Sequence, residues 1–180
     1  MKKTGLITVI IAAILLFSSC SGDTKPTEAT TTAPSEAVTQ EQTPGTADTP
    51  ISLSDILTQI KDNVTLPEMM DYSENDIKTQ LGVTTEDYSE VTCSVSNDGY
   101  YPDFIFIAKA KDSSALDKME SKLGNYRSHK INEWKDYLPD VPERFEAIER
   151  STVTKKGDYV YLVISTEDAN INGIISKKIS

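Results

Sequence analysis

The 180-residue sequence is short of the residues that most site chemistry needs. It has two cysteines, one histidine and one tryptophan. Two cysteines exclude a small fold stapled by several disulfides. A zinc site needs three or four ligands, and beside His129 only carboxylates remain to supply them, Glu133 being one helical turn away. Serine catalysis would need His129 as its base, and no G-x-S-x-G turn presents a serine. Positive charge is scarce too: 18 Lys and Arg face 28 Asp and Glu, for a net charge of −10. A phosphate-binding surface needs clustered Lys and Arg, so no nucleic acid is expected as a partner. No cofactor is implied.

What is present divides into unlike pieces. Lys2 and Lys3 precede an apolar run from Gly5 to Phe17. At about 1.5 Å per residue that run spans about 20 Å, short of a ~30 Å hydrocarbon core, and it has the pattern of a secretory signal. Leu16-Phe17-Ser18-Ser19-Cys20-Ser21-Gly22 follows. This segment resembles the bacterial lipobox, with Phe17 standing where Leu is usual. The resemblance implies a signal peptide over 1–19 and a diacylglyceryl group on Cys20. Two or more acyl chains, at about 0.8 kcal/mol per buried CH₂, hold a protein stably on a bilayer. The expected location is therefore the extracytoplasmic face of the cell membrane. Lipidation would consume Cys20 and leave Cys93 without a disulfide partner.

Residues 20–50 read as a tether. Nine threonines and four prolines, with no aromatic residue, bury too little apolar surface to offset the entropy of ordering. Residues 51–180 hold 12 of the 13 aromatic residues and are long enough for an independent core.

Within 51–180 the pattern predicts an α+β domain. Ile51 to Val64 reads as a helix that Ser54-Asp55 can cap, and Thr65-Leu66-Pro67 ends it. Met69 and Met70 read as gap-filling core contacts. Asn75-Asp76 opens a short helix that Gly82 ends. Tyr88 to Ser96 alternates, with Val91, Cys93 and Val95 on one face. Asn97-Asp98-Gly99 supplies the positive φ of a tight turn, and Pro102 to Lys111 returns. Phe104-Ile105-Phe106-Ile107 is apolar on both faces, so this strand is central. Ser114 and Asp117 make a capping-box-like start to a long helix with a stripe of Leu116, Met119, Leu123, Tyr126, Trp134 and Leu138. Asp140-Val141-Pro142-Glu143 starts another helix. Thr152 to Lys155, a Lys156-Gly157 turn and Tyr159 to Ile164 form a second hairpin. A C-terminal helix runs from Asp168. The order ααββααββα describes a small antiparallel sheet of two hairpins with helices packed on one face.

Two further segments are candidate sites. Asp168, Asn170 and Asn172, followed by Gly173, match the early ligand positions of an EF-hand calcium loop. The carboxylate that should close the loop is replaced by Ile179, so the primary expectation is a helix and no metal. Tyr100 and Tyr101 flank the first turn, where aromatic rings can form a contact surface for sugar rings or a partner protein.

The domain resembles the bacterial lipoprotein family known as domain of unknown function 4358. The likeness rests on Asp103-Phe104-Ile105-Phe106-Ile107-Ala108, Trp134-Lys135-Asp136-Tyr137-Leu138-Pro139, and Lys156 to Ser165. It implies a lipid-anchored surface protein with a short α+β domain, and no activity. The expected function is a non-catalytic binding or envelope-accessory domain on a membrane anchor. Its expected partners are the bilayer, through acylated Cys20, and an envelope protein or cell-wall polymer. A small carboxylate-based envelope hydrolase and a structural spacer are the alternatives.

Overall fold

A computed structural model describes residues 52–137 and 139–179. The expected signal peptide over 1–19, Cys20 and the expected tether lie outside the described residues. The elements are α1 (Leu53–Asn63), β1 (Met69–Asp71), α2 (Glu74–Leu81), β2 (Tyr88–Ser96), β3 (Phe104–Ala110), α3 (Ser113–Trp134), α4 (Pro142–Arg150), β4 (Val153–Lys156), β5 (Tyr159–Ile164) and α5 (Asp168–Lys178). A 3-10 turn, Lys135–Tyr137, follows α3.

The five strands form one antiparallel sheet in the order β1-β2-β3-β5-β4. The α+β class holds, and β3 is central as its doubly apolar pattern requires. The sheet has five strands, however, because Met69-Met70-Asp71 pairs with β2 as an edge strand. Met69 packs against the core and Met70 stays exposed, so only one of the two fills a gap.

The helices cover both faces of the sheet, which corrects the expectation of one. Phe104, Phe106 and Ala108 of β3, with Val160, Leu162 and Ile164 of β5, pack with buried residues of α2, α3 and α4. Ile105 and Ile107, with Tyr161 and Val163, pack with α1 and α5. Side chains alternate across a strand, so a strand that is apolar at every position demands cover on each side. A bulge at Tyr88–Glu90 breaks the alternation of β2 and turns Tyr88 toward the same core as Val91, Cys93 and Val95.

The caps differ from the expected ones by a residue or two. Ser52 caps α1, its hydroxyl accepting from Asp55 N while Asp55 Oδ2 accepts from Ser52 N. Ser73 and Asp76 repeat this box on α2, which ends on Gly82 at φ 68°. Asp112, not Ser114, caps α3, accepting from Ala115 N at 2.8 Å. A carboxylate at that position also faces the positive end of the helix dipole. Pro142 opens α4, where its missing N–H costs nothing. Gly157 turns the second hairpin at φ 56°. Among the described residues, no helix is long and apolar enough to cross a membrane.

Candidate functional site

The β2–β3 connection is a longer loop than a two-residue turn, and Gly99 does not take a positive φ. Asp98 shapes it instead. Its Oδ1 accepts from Tyr100 N at 2.9 Å, and its carbonyl accepts from Tyr101 N at 3.0 Å. Short polar side chains turn the backbone this way without glycine. Asn97 N donates to Glu68 O at 2.8 Å, which ties the loop to the segment before β1.

This loop presents Tyr100 and Tyr101, 58% and 37% exposed. Their rings meet edge to face, with centroids 5.9 Å apart and planes at 85°. Arg144 of α4 lies over both, its guanidinium carbon 4.2 Å from the Tyr100 centroid and 3.9 Å from that of Tyr101. Its Nη1 also donates to Tyr100 O at 2.6 Å. The tyrosine pair is therefore braced by an internal cation.

Two clefts meet this pair. The larger, about 540 Å³, has Tyr101 and Arg144 in its wall along with Glu68, Asp98, Asp103 and Glu143. The smaller, about 320 Å³, has Tyr100, Trp134 and Tyr137 in its wall along with Glu133 and Asp140. Trp134 and Tyr137 are 5.8 Å apart at their centroids. Tyr137 is 57% exposed, while Trp134 is a core residue as its place on the α3 stripe predicts. Both volumes lie in the range of small-ligand sites.

Asp103 is the one buried carboxylate in the larger cleft, 6% exposed. Its Oδ1 accepts from Ser165 Oγ at 2.6 Å. Burial pushes the carboxyl above its ordinary value, against the pull of the Ser165 hydroxyl and the Arg144 charge. Ser165 Oγ also accepts from Glu167 N at 3.1 Å, so the same hydroxyl serves the start of α5.

The remaining candidates lie elsewhere. Asp168, Asn170 and Asn172 fall within the α5 helix, not in a loop. Arg150 bonds Asp168 through both Nε and Nη2, and Asn170 donates to Glu167 at 2.7 Å, so the structure does not bring the three together around one point. His129 is exposed on α3, and Glu133 pairs with Lys130 at 2.9 Å. Among the described residues, no group of three or more His, Cys, Asp or Glu is placed to hold a metal ion. Cys93 is a buried free thiol whose pKa burial raises far above the ordinary value. Sequence reasoning missed Arg144 and Asp103. Arg144 lies 44 residues from its hydrogen-bond partner, and Asp103 reads simply as part of the strand that returns from Pro102.

The fold is that of an α+β domain with an antiparallel sheet covered by helices. Within that class, a family model described as Domain of unknown function (DUF4358) matches residues 62–165, more than half of the chain, and the chain belongs to that family. No curated protein and no solved structure is similar enough to match it.

Proposed function

We propose that the protein is a lipid-anchored extracytoplasmic lipoprotein whose domain binds a partner without catalysis. The anchor rests on the basic start, the short apolar run and the lipobox-like segment ending at Cys20. The binding role rests on one observation: three exposed tyrosines border two clefts, Tyr101 in the wall of the larger and Tyr100 and Tyr137 in that of the smaller. Exposed large aromatics gathered at clefts mark contact surfaces. An envelope protein or a cell-wall polymer is the partner class that suits the location.

The test is photo-crosslinking in cells from the intact lipoprotein. A photoreactive residue replacing Tyr101 should capture a defined product. The same residue replacing exposed Lys177 of α5 should not. Equal capture at both positions overturns the surface assignment. Labelled palmitate retained by a Cys20→Ala variant overturns the anchor.

A carboxylate-based hydrolase is the second reading. It is favoured by Asp103, a buried carboxyl with a raised pKa in the same cleft as Glu68 and Glu143. General acids are tuned in this way. Hydrolysis of cell-wall fragments that Asp103→Asn abolishes would establish it.

A further inference from the structure

The smaller cleft has a composition of its own. Tyr100, Trp134 and Tyr137 supply three aromatic rings, and Glu133 and Asp140 supply two carboxylates. Among the described residues, no Lys or Arg lines it. Two of the four exposed large hydrophobic residues among the described ones, Tyr100 and Tyr137, stand in its wall. Aromatic faces carry negative charge density, and together with carboxylates they attract one kind of group.

We propose that this cleft binds an organic ammonium group, such as a quaternary ammonium or the amine of an alkyl side chain. This deepens the binding reading above and rests on it. The electrostatics choose the ligand class. A metal ion would need convergent ligands, and no such group exists among the described residues. An anion would meet the carboxylates of Glu133 and Asp140 beside the aromatic rings. Glu133 is already paired with Lys130, so it gives the rim partly neutralised charge. Asp140 forms no ion pair among the described residues and supplies the open carboxylate. Tyr100 already holds one cation, Arg144, on the side of the larger cleft. Arg144 does not line the smaller one. Trp134, mostly covered, forms the floor, and exposed Tyr137 forms a wall.

Trp134 is the only tryptophan of the sequence, so tryptophan emission comes from a single residue that lines this cleft. The full-length chain is titrated with choline and with tetramethylammonium at constant ionic strength. A saturable change in Trp134 emission is expected from both. The uncharged tert-butyl isostere of choline should give none. Tyr137→Ala should weaken binding about tenfold, and Tyr137→Phe, which keeps the ring, should leave it within about twofold. Retained binding by the Phe variant separates lost ring contact from lost fold. An equal response to the isostere, or none to either ammonium ion, overturns the proposal. A response to an N-acetylglucosamine oligomer without one to ammonium also overturns it, yet leaves the broader binding reading standing. That broader reading fails separately, through the crosslinking at Tyr101.

Discussion

Ser165 donates its hydroxyl proton to Asp103 Oδ1 at 2.6 Å and so links the residue after β5 to the residue before β3, 62 positions apart. The pair sits where the two central strands meet the larger cleft. Its carboxyl is buried and its folded pKa is raised. A carboxyl shifted upward stabilises the fold below the ordinary carboxylate range, and that contribution is lost as pH rises through the folded value. Asp103→Asn should remove this loss while its amide oxygen still accepts from Ser165. Urea unfolding between about pH 3 and pH 7 should therefore show a smaller fall in stability with rising pH for the variant. An unchanged pH profile would falsify the assignment of that slope to Asp103.

Asp87 behaves in the opposite sense. It too is buried, and burial alone would raise its pKa. Lys118 at 2.7 Å, the Thr84 N–H at 2.9 Å and Lys122 at 3.0 Å outweigh that and hold the carboxyl well below the usual carboxylate range. Its contribution is present above the unfolded pKa and lost as pH falls toward the folded one. Asp87→Asn should cost about 2 kcal/mol at pH 7, less than a fully buried pair, because Lys118 remains half exposed. The difference from wild type should shrink in acid. A cost that stays constant from neutral pH down to about pH 2 would show that packing, not charge, is responsible.

The two central strands were legible because burial writes itself into composition. Phe104 to Ala108 and Val160 to Ile164 offer no polar face, and they lie at the centre of the sheet. The same fact requires cover on both faces, which the expectation of helices on one face overlooked; α1 and α5 supply the second cover. β1 was illegible because an edge strand of three residues, with one half-buried and two exposed, has no period to read. The first hairpin loop was misread because Asp98 performs by hydrogen bonding what a positive-φ glycine would perform by conformation. At the site, Tyr100 and Tyr101 stood out as adjacent aromatics beside a turn. Their brace and their neighbours Trp134 and Tyr137 arrive from α3, the turn after it and α4, a proximity that only tertiary packing creates.

Cys93 gives a probe of the core. It pairs with Phe106 across the β2–β3 ladder and is buried, with a thiol pKa raised by burial. The thiolate is the reacting species, so neither access nor ionisation favours modification of the native state. In a Cys20→Ala background, where one thiol remains, an aromatic disulfide reagent should react only as fast as the domain unfolds. The rate should rise with urea in step with global unfolding. Rapid modification in buffer would mean that the β2–β3 pair opens locally.

Arg144 joins the tyrosine pair to α4 by two kinds of contact, and the two can be separated. Its guanidinium plane covers both rings, and its Nη1 bonds Tyr100 O. Arg144→Ala should cost about 1–2 kcal/mol, from cation–π contacts at a partly exposed site and one charge-assisted hydrogen bond. The loop has its own turn around Asp98, so the loss should be local. Amide exchange should quicken at Tyr101 and stay slow at Ile105 in the central strand. Arg144→Lys keeps the charge and loses the planar stack, so it should recover only part of the protection. Arg144 also pulls the Asp103 carboxyl down. Its removal should raise that carboxyl further and shift the decline in stability toward higher pH, whereas Arg144→Lys should preserve the wild-type profile. A lysine variant that restores loop protection in full would reduce the role of Arg144 to its charge alone.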